Sequence, residues 1–464
     1  MKHEDIKCIL NNKKVFANDV TVCGWIKAIR RSKNVCFLEI NDGTTLKNLQ
    51  VVIDLTDKKN AEKILQLSLG SSVCVKGDIV SSLNHNQNVE MNLNEISVLG
   101  KCPQDYPIQK KKTSKEFLRE IPHLRSRTNT FNAVFRVRNV LAKATHDYFQ
   151  SNNFTYVNTP IITASDCEGA GELFRVTTLD INEVSKNEFN KNLDQDDFFG
   201  RKVNLTVSGQ LEAEAMASSF GKVYTFGPTF RAENSNTKRH AAEFWQIEPE
   251  VAFADLNDIM DIATGTIKYV IERVLIECKD EIEFFTKYYD KDLYNRLNNV
   301  VKEKFARLEY TDAIKILLDS KENFEFPVYW GCDLKSEHER YLTDVIFKKP
   351  VFIMNYPKEL KSFYMKENKD GKTVASTDLL VPGIGEIIGA SQREDDYEIL
   401  LNKIKNLGMT LEDYKWYLEL RKYGTVPHSG FGIGFERLVM YTTGMDNIRD
   451  TIPFPRTKCK KLNL

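Results

Sequence analysis

The sequence predicts an α+β protein in which a small β-barrel domain precedes a larger domain of mixed strands and helices. Residues 1–100 contain about five short strand patterns and almost no helical periodicity. Helical patterns begin near Asn132, and strand patterns with period-two alternation return around Phe226–Val251. A chain of 464 residues accommodates two or three domains of ordinary size.

The strand patterns of the first domain have the number and spacing typical of an OB-fold barrel. A turn signal at Asn41-Asp42-Gly43 separates two of them. Barrels of this kind bind oligonucleotides on one face, so residues 1–102 are expected to bind nucleic acid. The five strand patterns are Val20–Ile26, Val35–Ile40, Leu49–Ile53, Ser72–Val80 and Glu90–Leu99.

A hinge at residues 103–128 separates the two predicted domains. Three prolines interrupt it, and Lys110-Lys111-Lys112 is its densest run of charge. The run is either a solubilising hinge or a contact for nucleic-acid phosphates. Residues 129–464 follow as the second domain, with a helical insertion predicted around 256–325. A helix capped by Asn132 is expected to begin that domain.

Composition excludes several classes of protein. Net charge is +0, from 65 basic and 65 acidic side chains, so any nucleic-acid-binding surface must be local. No apolar run approaches the roughly 20 residues that span a bilayer, and the N-terminus has no signal-peptide or transit-peptide pattern. Nine cysteines are scattered without a CxxC pair, which argues against zinc and favours a reducing compartment. We therefore expect a cytoplasmic protein without zinc or membrane association.

The most informative segment is Phe230–Glu250, in which two strand patterns flank a polar loop. Charged side chains lie on the inward face of the first strand, and a basic loop and an aromatic ring follow. Such groups suit a triphosphate carrying a planar base, although a solvated, charged hairpin has the same pattern. The side chains concerned are Arg231, Glu233, Lys238, Arg239, His240 and Phe244.

This segment resembles motif 2 of the class II aminoacyl-tRNA synthetases, in which Phe-Arg-x-Glu and a variable loop precede a phenylalanine. The residues from Arg231 to Thr237 are similar to those of the asparaginyl branch within the aspartyl, asparaginyl and lysyl subgroup. The run Gly430–Leu438 resembles motif 3, and the helix and strand ending at Pro160 resemble motif 1. The similarity extends over nearly the whole chain.

The resemblance implies a fold, a reaction and partners. The expected catalytic domain is an antiparallel sheet flanked by helices, and motif 1 forms a homodimer interface in this family. The expected substrates are ATP, asparagine and tRNA(Asn). Activation proceeds by attack of the amino-acid carboxylate on the α-phosphate, so the site needs cations more than a general base.

The resemblance assigns ATP to motifs 2 and 3. Arg231 would bridge the α-phosphate and the substrate carboxylate, since a planar guanidinium suits two oxygens at once. Arg437 would pair with the γ-phosphate and stack on adenine, and Phe244 would also stack on adenine. The other implied ATP contacts are Glu233 at the adenine, Arg239 and His240 at the outer phosphates, and Glu386.

Two acids match the residues that hold magnesium in this subgroup. Asp378 and Glu386 flank Val381-Pro382-Gly383-Ile384-Gly385. Hard carboxylate oxygens suit Mg²⁺, which also binds phosphates. The resemblance therefore implies Mg²⁺ as the cofactor, and it implies catalytic roles for Arg231, Glu386 and Arg437.

A second set of residues is expected to select the amino acid. Where aspartyl enzymes place a lysine that holds the substrate carboxylate, this chain has Ala213. The resemblance therefore favours asparagine over aspartate. The residues that match the subgroup's contacts to the substrate α-ammonium are Glu168, Ser208 and Gln210.

The side-chain amide of asparagine needs an acceptor for its NH₂ group and a donor for its oxygen. Glu214, an acceptor when ionised, would attract the NH₂ group and repel an aspartate carboxylate. Glu172 is the alternative for the same role. Arg393 matches the subgroup arginine that would bind the amide oxygen.

The first domain resembles the anticodon-binding barrel of the same subgroup. The resemblance rests on Gly24-Trp25-Ile26, the basic pair Arg30-Arg31, Phe37 and the following turn. Phe37 would stack on the central anticodon base, and Gln50 would read its edge. A core position for Phe37 is the alternative, because phenylalanines in strands are more often buried.

Three other functions fit parts of the pattern. An aspartyl enzyme that charges both tRNAs is disfavoured by Ala213. A tRNA-independent asparagine synthetase on the same catalytic core is disfavoured by the N-terminal barrel. A non-catalytic nucleic-acid-binding relative is disfavoured because Arg231, Arg437 and Glu386 are all present.

Overall fold

The computed structural model of the chain describes residues 2–11, 17–82, 88–109, 113–168, 172–180, 193–235 and 237–458. The chain divides into two compact units, Met1–Ala133 and Val134–Leu464. The lysine run at 110–112 lies outside the described residues. Within the described ranges, no helix is both long enough and apolar enough to cross a membrane.

The first unit is built on a closed five-stranded barrel, as the sequence predicts. Its strands are β1 (Ala17–Arg31), β2 (Val35–Asn41), β3 (Leu49–Asp54), β4 (Ser72–Ser81) and β5 (Val89–Gly100). The strand order around the barrel is β1-β2-β3-β5-β4. Only β3 and β5 pair in parallel. Two helices that the sequence analysis did not predict, Ile6–Asn11 and Lys58–Leu65, add Ile6 and Ile64 to the barrel core.

Burial along β2 alternates from residue to residue, as the period of a strand requires. Cys36, Leu38 and Ile40 are fully buried in the barrel core. Phe37 lies between them on the opposite face and is only partly buried. The core position considered for Phe37 is therefore excluded, and its ring belongs to the outer face of the barrel.

The second unit contains an eight-stranded sheet flanked by helices, which confirms the predicted α+β class. Its strands are β6 (Thr155–Tyr156), β10 (Lys222–Phe230), β11 (Glu243–Ala252), β12 (Ala306–Glu309), β13 (Val351–Met354), β14 (Ser376–Val381), β15 (Gly385–Gln392) and β16 (His428–Gly434). The order is β12-β13-β14-β15-β16-β11-β10-β6, with parallel pairs only at the two edges. A smaller sheet pairs β7 (Ile162–Thr163), β9 (Val203–Leu205) and β8 (Arg175–Val176).

The other regular elements of the described chain are helical. The α-helices beyond the barrel are Lys115–Glu120, Pro122–Arg125, Asn129–Ser151, Leu193–Asp196, Gln210–Phe220, Leu256–Glu277, Lys279–Tyr288, Leu293–Lys302, Tyr310–Asp319, Ser336–Arg340, Tyr397–Asn406, Leu411–Lys422 and Phe435–Thr443. A π-helical segment covers Tyr341–Phe347, and 3₁₀ turns cover Lys358–Leu360 and Ile448–Asp450.

Two local predictions are wrong. The long helix begins at Asn129 rather than after Asn132, and the Thr128 hydroxyl accepts from the N–H of Phe131 in its first turn. Strand β10 ends at Phe230, so Arg231 does not belong to it. The β10–β11 register ends at the pair Phe230–Glu243. The N–H of Arg231 still donates to the carbonyl of Ala242, but that of Ala232 donates to the carbonyl of Glu172, in another segment.

Candidate active site

A cavity of about 350 Å³ opens on one face of the eight-stranded sheet. Alternate residues of β11 line it, namely Phe244, Gln246, Glu248 and Glu250, because they share one side of the strand. The cavity brings together most of the residues singled out from the sequence of this unit. They are Glu168, Ser208, Gln210, Arg231, Glu233, Arg239, His240, Phe244, Asp378, Glu386, Arg393 and Arg437.

Arg231 lies in the loop that follows β10 and offers its guanidinium to the cavity. Its Nη2 lies 2.5 Å from Oε1 of Glu168, and its Cζ lies 5.4 Å from the centre of the Phe244 ring. Its Nε is buried and has no hydrogen-bond partner among the described residues. A buried donor without a partner is costly, so this arrangement suits an anionic ligand oxygen.

Arg437 stands in the first turn of the helix Phe435–Thr443, at the wall of the cavity. Its Nη1 lies 3.1 Å from Oε2 of Glu386. Burial raises the pKa of Glu386, but the positive charges around it, first Arg437 and then Lys361, together hold the pKa below its ordinary value. Arg239, from the loop after β10, donates to the Ser336 hydroxyl at 2.9 Å. Cations therefore reach the cavity from two separate elements.

Asp378 on β14 and Glu386 on β15 converge on the space above Gly389. A Cβ atom at Gly389 would lie 3.6 Å from Oε1 of Glu386 and 3.7 Å from Oδ1 of Asp378. Burial raises the pKa of Asp378, although Lys361, with Nζ 2.6 Å from Oδ2, opposes the shift. Burial also raises the pKa of Glu339, beside this pair, to about 7.

The donor set of Asp378 and Glu386 fits a magnesium ion that shares its ligands with a phosphate. In the described part of the chain, no group of three or more His, Cys, Asp or Glu side chains is arranged to hold a metal by itself. Mg²⁺ is commonly bound by one or two carboxylates together with substrate phosphates and water, rather than by a cage of protein ligands. Two converging carboxylates beside Arg437 match that description.

A network of hydrogen bonds organises Ser208 and Gln210 at another wall of the cavity. The Ser208 hydroxyl donates to Glu248, and the N–H of Gly209 donates to Oε2 of Glu248 at 3.0 Å. Burial raises the pKa of Glu248, while these two hydrogen bonds oppose the shift. Together with Glu168, these groups form an acidic subsite suited to an ammonium group.

Arg393 and Glu250 form an ion pair at the cavity wall. Nε of Arg393 lies 3.1 Å from Oε2 of Glu250, and Nη2 contacts Oε1. Nη1 donates to the Ser391 hydroxyl at 2.6 Å, and the Arg393 Cζ lies 5.2 Å from the centre of the Tyr364 ring. Burial raises the pKa of Glu250 to about 7, against the opposing effect of Arg393. Arg393 was predicted from the sequence, whereas Glu250 was not.

Neither acid selected from the sequence for the asparagine amide lies at the cavity wall. Glu214, on the helix Gln210–Phe220, is buried but absent from the lining. Its carboxylate is already occupied by Arg421 and by the Tyr417 hydroxyl. Glu172 is exposed and is also absent from the lining. The period-two alternation of β11 places Glu250 on the same face as Phe244. Glu250 could have been predicted as a site residue from that alternation.

Three of the four candidates for anticodon binding share the outer face of the barrel. Arg30 lies opposite Phe37 in the β1–β2 register, and Gln50 lies opposite Glu39 in the β2–β3 register. The fourth, Arg31, turns away and donates to the carbonyl oxygens of Ile64 and Leu67, at 3.0 and 2.9 Å. Arg31 therefore binds the backbone at the C-terminal end of the helix Lys58–Leu65.

Comparison with known proteins supplies the family. Residues 114–458 match the family described as tRNA synthetases class II (D, K and N), and residues 20–99 match the OB-fold nucleic acid binding domain. The asparagine–tRNA ligase of Clostridium tetani (strain Massachusetts / E88) is 56% identical over 458 residues, which are 98% of this chain and 99% of that protein. The chain belongs to the asparagine–tRNA ligase family of class II tRNA synthetases.

Other members of the asparagine–tRNA ligase family support the same assignment. The asparagine–tRNA ligase of Bacillus cytotoxicus is 56% identical over 444 residues, 96% of each chain. The crystal structure of Pyrococcus horikoshii asparaginyl-tRNA synthetase complexed with asparaginyl-adenylate is 34% identical, with a TM-score of 0.84 over 98% of each chain. The Entamoeba histolytica enzyme in complex with asparaginyl-adenylate is 29% identical, with a TM-score of 0.81 over 95% of this chain and 96% of that one. The resemblance drawn from motifs 2 and 3 is confirmed.

Proposed function

We propose that this chain couples cleavage of ATP to the attachment of asparagine to tRNA(Asn). In the first step, the asparagine carboxylate attacks the α-phosphate of ATP, giving asparaginyl-adenylate and pyrophosphate. In the second step, a hydroxyl of the terminal adenosine of tRNA accepts the asparaginyl group, and AMP leaves. The observation that carries the proposal is the buried Arg393–Glu250 pair in a cavity that also contains Arg231 and Arg437.

The groups proposed for ATP work by electrostatics and position. Negative charge collects on phosphoryl oxygens in the transition state, and fixed guanidinium groups stabilise it. Arg231 binds the α-phosphate and the asparagine carboxylate, and the unpartnered Nε supports that role. Arg437 binds the γ-phosphate and Phe244 stacks on adenine. Glu233 is assigned to the adenine, and Arg239 and His240 to the outer phosphates.

Magnesium is proposed to bind at Asp378 and Glu386. Their carboxylates would hold the ion, which would supply positive charge to offset part of the charge on the phosphates. Glu386 also orients Arg437, since their side chains are paired at 3.1 Å. Lys361 holds Asp378 through a contact of 2.6 Å and so fixes the direction of its carboxylate.

The amino-acid subsite is proposed to bind both the α-ammonium group and the side-chain amide of asparagine. Glu168, Ser208 and Gln210 bind the α-ammonium group. Arg393 donates to the side-chain amide oxygen, and Glu250 accepts from the amide NH₂ group. We assign that acceptor role to Glu250 rather than Glu214 because Glu250 lines the cavity. Aspartate would present a carboxylate to the Glu250 carboxylate, which is unfavourable for a buried pair of like charges.

The barrel is proposed to bind the anticodon. Residues 1–102 form that domain, 103–128 a hinge, and 129–464 the catalytic domain with its insertion around 256–325. Phe37 would stack on the central base and Gln50 would read its edge, with Arg30 near the phosphates. Arg31 takes a supporting role.

A homodimer formed through motif 1 and a cytoplasmic location complete the proposal. Tyr156, Ile161 and Ile162 follow the helix Asn129–Ser151 and are exposed, which suits an apolar contact between two copies. Sedimentation equilibrium with Ile161→Lys is expected to give monomer where the wild type gives dimer. No disulfide joins the described cysteines, which supports a reducing compartment.

Charging of purified transcripts tests the function. With asparagine and ATP, we expect asparagine to be esterified to tRNA(Asn), with little product on tRNA(Asp). Efficient aspartate attachment to both transcripts would instead indicate the relaxed aspartyl enzyme. Conversion of aspartate and ammonia to asparagine without tRNA would indicate an asparagine synthetase.

A further inference from the structure

A cluster of buried polar side chains lies behind Arg393 and outside the cavity lining. This Glu214 cluster consists of Glu214, Tyr417, Arg421 and His428. Arg421 donates to Oε2 of Glu214 at 2.6 Å, and the Tyr417 hydroxyl donates to the same atom at 2.8 Å. Nε2 of His428 lies 3.0 Å from it. Both oxygens of Glu214 are therefore engaged by protein groups, since Gln210 donates to Oε1 at 3.0 Å.

The Glu214 cluster is connected to the residues proposed to hold asparagine. Oε1 of Glu214 lies 3.9 Å from Nε of Arg393. The N–H of Arg393 donates to the carbonyl of His428 at 2.9 Å. The cluster thus contacts Arg393 both through the Glu214 carboxylate and through the backbone carbonyl of His428. Gln210 connects the cluster to the residues proposed to bind the α-ammonium group.

The charges in this region cancel in pairs. Two arginines, Arg393 and Arg421, face two glutamates, Glu214 and Glu250, and all four side chains are 4% exposed or less. Burial by itself raises the pKa of Glu214, but Arg421 and His428 bring it below the ordinary value, so the group is ionised. Without water to screen them, buried charges act over several ångströms. A neutral carboxamide matches this environment, whereas aspartate adds an uncompensated negative charge.

We propose that Glu214 is a positioning residue that sets the preference for asparagine without touching the substrate. Glu214 neutralises Arg421, while Glu250 is the carboxylate that is hydrogen-bonded to Arg393. Loss of the Glu214 charge would leave two arginines close to the side-chain subsite against one carboxylate. Such a subsite attracts the side chain of aspartate. This inference rests on the proposed function, because it concerns the asparagine subsite defined there.

The variant Glu214→Gln tests the proposal in ATP–pyrophosphate exchange with asparagine and aspartate. The wild type is measured first, and its preference for asparagine tests the proposed function separately. In Glu214→Gln, we expect the asparagine-to-aspartate ratio of kcat/KM to fall about tenfold or more. The change should come from a lower KM for aspartate, with kcat for asparagine within a few-fold of wild type. A general structural defect would lower activity with both amino acids and leave the ratio unchanged.

Two further variants distinguish the effect of the Glu214 charge from the effect of its hydrogen bonds. Tyr417→Phe removes a hydrogen bond to Glu214 but no charge, so the ratio should stay within about twofold of the wild type. Glu214→Gln combined with Arg421→Gln restores neutrality, and the ratio should return toward the wild-type value. A folded Glu214→Gln variant with an unchanged ratio would overturn the proposal, as would a double variant no closer to wild type than the single one.

Removal of one buried charge threatens folding, so thermal unfolding is recorded for each variant. If Glu214→Gln does not fold, the single variant Arg421→Gln provides the opposite test. It leaves the Glu214 charge without its main partner and makes the subsite more negative. The asparagine-to-aspartate ratio should then rise, and an unchanged or lower ratio contradicts the proposal.

Discussion

Arg393 contacts both carboxylate oxygens of Glu250, with Nε 3.1 Å from Oε2 and Nη2 bonded to Oε1. Arg393 is 3% exposed and Glu250 is fully buried, so water competes little for either group. The pair is neutral as a whole, yet it offers a donor and an acceptor side by side. That combination suits a carboxamide and not a carboxylate.

Removal of the Glu250 charge should weaken asparagine binding strongly. Glu250→Gln leaves Arg393 without its two-point partner, and loss of one member of a buried charge pair costs about 2–5 kcal/mol. We expect kcat/KM for asparagine in ATP–pyrophosphate exchange to fall by at least about thirtyfold. The matched control is Glu272→Gln, an exposed acid on the helix Leu256–Glu277, which should leave exchange unchanged. A fall of less than threefold in Glu250→Gln would exclude Glu250 from the subsite.

The raised pKa of Glu250 predicts a pH dependence. Burial raises this pKa to about 7, so the carboxylate acceptor is present above that value and is lost as the pH falls through it. We expect kcat/KM for asparagine to decrease as the pH falls through about 7. The ratio of kcat/KM for asparagine to that for aspartate should also become smaller below this pH. The Glu250→Gln variant should not show this decrease near pH 7. The prediction would be contradicted if the wild-type kcat/KM fell only near the ordinary pKa of a carboxyl group, or if the fall near pH 7 persisted in Glu250→Gln. In either case a group other than Glu250 would cause the loss of activity.

Gly430 makes room for the Glu250 carboxylate. The two residues are register partners on β16 and β11, and a Cβ atom at Gly430 would overlap the Glu250 side chain. Since Arg393 restrains that side chain, Gly430→Ala should displace it and raise KM for asparagine about tenfold or more, with KM for ATP little changed. Gly432→Ala, where a Cβ atom would come no closer than 3.7 Å to Gln246, is the control on the same strand. Equal effects of the two substitutions on KM for asparagine would refute this explanation.

The outer position of Phe37 predicts a separation of two activities. Stacking of a base on an aromatic ring contributes about 1–3 kcal/mol, so Phe37→Ala should lower kcat/KM for tRNA(Asn) by about five- to 150-fold. Asparagine-dependent exchange does not involve the anticodon and should be unaffected. Leu99→Ala, at an exposed position of β5, serves as the control. A loss of exchange in Phe37→Ala would mean that the ring has a structural role instead.

The barrel and the ATP-binding motifs could be predicted because their signals are local in sequence. Period-two alternation located all five barrel strands, and motif 2 placed Arg231 and Phe244 within one short segment. The helix Lys58–Leu65 was missed because eight residues carry little periodic signal. Its Ile64 becomes buried only through tertiary contact with the barrel core.

The amide-binding acid could not be predicted because its burial depends on distant elements. From Ile247 to Val251, β11 is buried on both faces, so alternation no longer separates core from solvent. Glu214 was selected from its offset along a helix. Its partners, Arg421 and His428, are more than 200 residues away and meet it only in the folded chain.

The most direct test of the account is ATP–pyrophosphate exchange by the wild-type protein with asparagine and aspartate measured side by side. The Arg393–Glu250 pair and the neutral environment behind it predict exchange that depends on asparagine. With aspartate, kcat/KM should be lower by at least about a hundredfold, the size expected when a buried polar subsite meets the wrong group. Equal or greater exchange with aspartate would contradict the assignment of asparagine as the substrate.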